Sequence, residues 1–145
     1  MKIQDVFKAA RVSNSISAGL LLMRVVAGLA FMFHGWSKIQ NPFGWMGESS
    51  NIPGALQALA ALSEFGGGLA WMLGLVTPLA SFGLLCTMAV AAWMHAIVMR
   101  DPFVAMGPGK GSWELAAVYF CIAMLLLLAG PGRFSADRAM FGERS

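Results

Sequence analysis

The stretch LLLMRVVAGLAFMFHGWSKIQ, Leu20–Gln40, decides the fold. It is apolar and long enough to cross a bilayer, yet it carries Arg24, His34 and, at its end, Lys38. At 100° per residue, Arg24, Ala27, Gly28, Phe31, His34, Gly35 and Lys38 fall within an arc of about 120°, so ionisable and small residues share one face. That face cannot point at lipid. A charged side chain at the centre of a membrane helix costs roughly 2.5–3.5 kcal/mol on insertion scales, and such residues turn to the bundle interior, where they mark a site or an ion pair.

Working outward, the whole chain is 145 residues, 58% hydrophobic and only 12% charged, with a mean hydropathy of +0.69. A soluble domain would be nearer a quarter charged, so the chain reads as an all-α integral membrane protein. Four apolar segments, about 17–39, 54–75, 78–99 and 112–130, each approach the ~20 residues that span a bilayer core, which gives a four-transmembrane-helix antiparallel bundle over 17–130. They leave no room for a soluble catalytic domain. The first segment is not a signal peptide, because its apolar run is too long, no small-x-small site follows and Arg24 lies inside it.

Residues 1–16 read as an interfacial amphipathic segment with a short helix over 2–12, Ile3, Val6, Phe7 and Ala10 lying opposite Lys2, Asp5, Lys8 and Arg11. Residues 131–145 read as a polar tail. Lys2, Lys8, Arg11, Arg133, Arg138 and Arg144 fall on one side of the bundle, and only Lys38, Arg100 and Lys110 on the other. The positive-inside rule therefore makes both termini cytoplasmic. The net charge of +3 is explained by this asymmetry and gives no argument for nucleic acid. Cys86 and Cys121 lie inside the third and fourth spans and read as unpaired, small apolar residues.

The first loop, NPFGWMGESSNIP over Asn41–Pro53, has turn formers but also Phe43, Trp45 and Met46, and is expected to fold back onto the bundle mouth. In the second span, Gly66, Ala70 and Gly74 form a small-residue stripe suited to close packing, and in the third Gly83, Thr87, Ala91 and His95 form another. Such stripes serve self-association or are consumed within the bundle. Counting 1.5 Å per residue places His34, His95, Glu114 and Lys38 in the outer half, with Trp36, Trp45, Trp93 and Trp113 at the same level. The tryptophans also form an aromatic belt. The same count puts Glu64 and Arg24 deeper and about 7 Å apart, so that either a structural ion pair or a counter-charge for a ligand is open.

A neutral imidazole can hydrogen-bond a quinone carbonyl, shuttle a proton or bind metal. Met88, Met94, Met99 and Met106 near His95 are soft enough for copper, but in so apolar a chain they read as packing or lipid-facing residues, and no metal site is assigned. No nucleophile–base pair, phosphate loop or dinucleotide fingerprint is present.

With these residues in view, the chain resembles the DoxX family of small four-helix bacterial membrane proteins. The resemblance rests on Arg24 followed by FHGWSK (Phe33–Lys38), SEFGGGLAWMLGLVTP (Ser63–Pro78), His95, WELA (Trp113–Ala116) and GPGRFSAD (Gly130–Asp137), and covers about residues 17–138. It implies a compact four-helix bundle in the bacterial inner membrane and a redox setting, since relatives include a subunit type of thiosulfate:quinone oxidoreductase and partners of thiol-stress and superoxide-defence proteins.

The resulting expectation is a subunit of a quinone-linked oxidoreductase, with no built-in cofactor, that binds a quinone-like or other small apolar ligand in the outer half. His34, His95, Glu64 and Glu114 would exchange protons or bind carbonyl oxygens. Arg24, Lys38, Trp36, Trp93 and Trp113 would hold the ligand. A redox partner protein would supply electrons. The rival readings are a non-catalytic scaffold or anchor, and small-solute or metal transport.

Overall fold

The computed structural model describes residues 3–143, and in it the chain is helical with no strands among those residues. Helix α1 runs Asn14–Gln40, α2 Gly54–Leu73, α3 Thr77–Trp93, α4 Glu114–Ala129 and α5 Ala136–Phe141. The end of α3 continues as a π-helical turn, Met94–Val98. α1 starts three residues earlier than the apolar run suggests because Ser13 caps it, its hydroxyl accepting the Ile16 N–H at 3.2 Å. α1, with 27 residues, and the continuous segment Thr77–Val98, with 22, are long and apolar enough to cross a membrane. α2 is interrupted by Gln57 and Glu64, and α4 has 16 almost wholly apolar residues.

The helices pack in chain order, α1 on α2, α2 on α3 and α3 on α4. Between them lies a core of Leu20, Ala27, Phe31, Trp71, Leu84, Met88, Ala123 and Leu126. Leu22, Phe33, Leu62, Phe82 and Leu128 are more than half exposed on the outside, a surface suited to acyl chains and not to water.

The register of the bundle is set where α1 crosses α2. A methyl group on Gly28 would lie 2.5 Å from the Gly68 carbonyl oxygen, and one on Gly68 2.6 Å from that of Gly28. Only hydrogen fits between these backbones. The stripe expected at Gly66, Ala70 and Gly74 is thus displaced: Gly68 meets α1, Gly67 meets Leu84 of α3, and Gly66 would contact only Leu62 of its own helix. Gly74 instead ends α2 in the left-handed region, at φ 65°.

Both chain ends gather at one end of the bundle, called here the terminal end; loops 41–53 and 100–113 lie at the opposite, loop end. Residues 3–7 form a 3-10 turn, not the amphipathic helix expected through residue 12. The backbone beyond it is recruited elsewhere, for the Ala9 N–H donates to the Gly142 carbonyl at 3.0 Å and the Phe7 and Phe141 rings pack 5.4 Å apart. Lys2 and Arg144, counted in the charge asymmetry, lie outside the described residues.

The C-terminal segment is likewise no loose tail. Asp137 is fully buried, and its carboxylate accepts the N–H groups of Val76 at 2.6 Å and Thr77 at 2.8 Å, so the tail caps the start of α3. That cap holds Val76 at φ 42°, a costly conformation for a β-branched residue. Hydrogen bonds to a charged group contribute about 1.5–3 kcal/mol each, so Asp137→Ala should destabilise the protein by on the order of 3 kcal/mol. The check is the temperature at which detergent-solubilised protein loses half its helical signal; an unchanged midpoint would show that α3 caps itself.

Candidate functional site

The register explains which polar groups meet. From the Gly28–Gly68 crossing toward the terminal end, Arg24 meets Gly74; toward the loop end, Gly35 abuts Phe65, the neighbour of Glu64. Side chains on a helix lean toward its N-terminus. Arg24 on α1 therefore leans to the terminal end, whereas Glu64 on the antiparallel α2 leans to the loop end. They diverge, and the Arg24–Glu64 pair left open by the sequence is not formed.

Arg24 is completely buried and donates to the Trp71 carbonyl at 3.0 Å and the Phe134 carbonyl at 2.6 Å, with Asp137 as the nearby negative charge. A methyl on Gly74 would collide with this guanidinium and with Ser135. Arg24 thus ties α1, the end of α2 and the segment after α4 into one knot. It is remote from the polar cavity and is not among the residues lining it.

The leaning rule brings Lys38 down and Glu64 up into contact. The Lys38 ammonium donates to both carboxylate oxygens, at 2.6 and 2.7 Å, while the Glu64 side chain is 4% exposed. Trp45, from the first loop, lies over that ammonium with its ring centre 4.5 Å away. Gln57 fixes the loop in this position: its carbonyl accepts from Trp45 Nε1 at 2.9 Å, its Oε1 from the Met46 N–H at 3.0 Å, and its Nε2 donates to the Ile52 carbonyl at 2.9 Å. The loop does fold back onto the bundle mouth.

Lys38 and Glu64 border a cavity of about 210 Å³ whose walls also include His34, His95, Met88, Ser112 and Tyr119. His34 is exposed and has no hydrogen-bond partner among the described residues. His95 sits in the π-turn, a feature that concentrates at functional sites. Its Nδ1 lies 2.7 Å from Asp101 Oδ2, so a carboxylate orients the ring and leaves Nε2 as the nitrogen available to a ligand. Gly111 lies against Asp101: a methyl there would run into the carboxylate, with Cγ at 2.6 Å. The floor is aromatic, with the Phe31 ring 4.6 Å from Tyr119 and edge-on to Trp71 at 5.5 Å.

Four of the residues singled out in the sequence, His34, Lys38, Glu64 and His95, therefore share one cavity. Glu114 is exposed and does not line it, although Ser112, Leu115 and Ala116 on either side do. Trp36 packs on Phe65, Trp113 on Phe103, and Trp93 is 54% exposed, so none of the three lines the cavity. Of the methionines, Met88 lines the cavity, whereas Met99 and Met106 are exposed. Among the described residues no three His, Cys, Asp or Glu side chains are grouped to hold a metal ion. Cys86 and Cys121 are free and exposed. Asp101, Ser112, Tyr119 and Gln57 were not singled out by sequence reasoning; the acid six residues after His95, inside DPF, was the one available signal.

Against known proteins, the family model described as DoxX matches residues 19–96. The chain is 28% identical over 134 residues to "Inner membrane protein YqjF" of Escherichia coli (strain K12), covering 84% of this chain and 92% of that protein. It is 27% identical over 124 residues to an uncharacterized protein of Haemophilus influenzae, covering 84% and 90%. It is 26% identical over 131 residues to "Putative oxidoreductase CatD" of Bacillus subtilis (strain 168), covering 89% and 92%. No solved structure matches the chain.

Breaking a buried pair by removing one partner leaves an uncompensated charge, so Lys38→Met should destabilise the protein by on the order of 3 kcal/mol, and adding Glu64→Leu should restore most of that loss. Thermal unfolding of the two variants in detergent measures the difference; equal losses would mean that the ion pair is not coupled in this way.

Proposed function

The chain belongs to the DoxX family, and from that premise we propose that it is the membrane subunit of a redox system, holding a quinone-like or other small apolar ligand in the cavity of His34, Lys38, Glu64 and His95. It is an all-helical membrane protein, and one relative is named "Inner membrane protein YqjF" and another "Putative oxidoreductase CatD". We extend this to four spans, α1 to α4, in the bacterial cytoplasmic membrane with both termini cytoplasmic. The excess of Lys and Arg at the terminal end favours that orientation, and the backbone pairing of Ala9 with Gly142 and Glu143 favours an even number of spans.

The observation that carries the reading is the meeting of two kinds of proton-handling group on one small cavity: the His95–Asp101 contact and the Lys38–Glu64 pair. A quinone, when bound, supplies two-electron, two-proton chemistry. The cavity fits its ring and little more, since about 210 Å³ falls below the ~300 Å³ at which drug-sized pockets begin. His95 presents Nε2 to one carbonyl oxygen, and Asp101 steadies the ring as its charge changes. His34 on the same cavity wall would offer a second imidazole, and Lys38 would offset negative charge that develops on the ligand. Electrons come from a partner protein, because the sequence has no dinucleotide motif.

A membrane-anchor role is the second reading, favoured by the Arg24–Asp137 knot, which ties helices together away from the cavity. The two separate on quinone extracted from protein purified in native lipid. Wild type should hold close to one quinone per chain and the folded His34→Ala/His95→Ala variant only background. Background in both would leave the anchor.

A further inference from the structure

We infer that the polar cavity opens sideways, between the loop-end halves of α1 and α4, into the acyl layer, and that its ligand is a membrane-dissolved amphiphile whose ring-sized polar head enters while its apolar tail stays among the lipids. The inference rests on the reading of this cavity as a ligand site and adds the route and the class of molecule that can use it.

The walls grade from closed to open in one direction. Glu64 at 3%, Met88 at 7% and Phe31 at 1% exposure form the back and floor, whereas Leu115 on α4 is 51% exposed and His34 on α1 is also exposed. His34 and Leu115 both line the cavity, one from α1 and the other from α4, helices that do not pack in chain order. α1 and α4 are not among the helix pairs that pack on one another; side chains bridge their seam, at the core that includes Leu20, Ala27, Ala123 and Leu126 and at the Phe31–Tyr119 ring contact.

Both loops are tied down over the aqueous side. Trp45 lies on Lys38 and is pinned by Gln57, and the second loop is tied down where Asp101 meets His95 and Gly111 and where the Glu114 N–H donates to the Phe103 carbonyl at 3.0 Å. A water-soluble ligand would have to displace both loops. A lipid-dissolved one needs only to slide its head past Leu115, and because the cavity is too small for a tail, the tail remains outside.

The test uses the full-length protein in vesicles, with Cys86→Ala and Cys121→Ala removing both native thiols. Cysteine is placed on the cavity wall by Ala116→Cys or, on the α3 side, by Ala91→Cys, so that one misfolded variant does not end the experiment. N-dodecylmaleimide dissolved in the bilayer competes with a charged, impermeant methanethiosulfonate reagent in water. We expect the lipid-borne reagent to label at least about tenfold faster, equivalent to about 1.4 kcal/mol in barrier, and Leu115→Trp to cancel that advantage. Faster labelling from water, or indifference to Leu115→Trp, overturns the sideways opening. The outcome is independent of quinone: lipid-side labelling with only background quinone keeps the portal and removes the quinone reading, while retained quinone with water-side labelling does the reverse.

Discussion

The carbonyl-to-glycine contact between Gly28 and Gly68 is the constraint on which the arrangement depends. Two helix backbones brought this close resist sliding, because the positions about one turn away, Arg24, Met32, Glu64 and Met72, all carry long side chains. With the register fixed, the lean of side chains toward each helix's N-terminus assigns partners: Lys38 and Glu64 converge, Arg24 and Glu64 part. One steric fact at mid-bundle thus separates a closed structural end from an end that carries exposed imidazole.

The two ends handle buried charge differently. At the terminal end, Arg24 is held by two backbone carbonyls with Asp137 nearby, and only its Nε is unbonded. At the loop end the charges are paired but bordered by empty space, and the π-turn turns His95 onto Asp101 at the point where α3 gives way to irregular backbone. The buried ion pair Lys38–Glu64 lies at the loop end, whereas at the terminal end Arg24 and Asp137 are each bonded to backbone. Only the loop end has room for another molecule.

Much of this was legible in the residues. The apolar runs and their breakers give the helices, and the small-residue faces that carry His34 and Lys38 on one helix and His95 on another point to a common interior, because helical periodicity is a local property. What escaped depended on distance in sequence. Asp137 caps a helix 60 residues away, and Asp101 meets His95 only because a π-turn redirects the chain. The Arg24–Glu64 pairing failed for a different reason: counting from assumed span ends ignored both the glycine contact that sets register and the direction in which the side chains lean. The N-terminal helix failed because a backbone that periodicity would coil is instead used to pair with Gly142.

The knot around Arg24 also has a meaning in time. Ribosomes deliver α1 first, and its guanidinium then waits while the next hundred or so residues are made, since one of its acceptors is Phe134 and its counter-charge is Asp137. α3 waits with it for the carboxylate that caps its first turn. Assembly of the bundle is therefore completed from the C-terminus, and a nascent chain cut short before that segment presents the cell's proteases with a membrane helix bearing a naked charge.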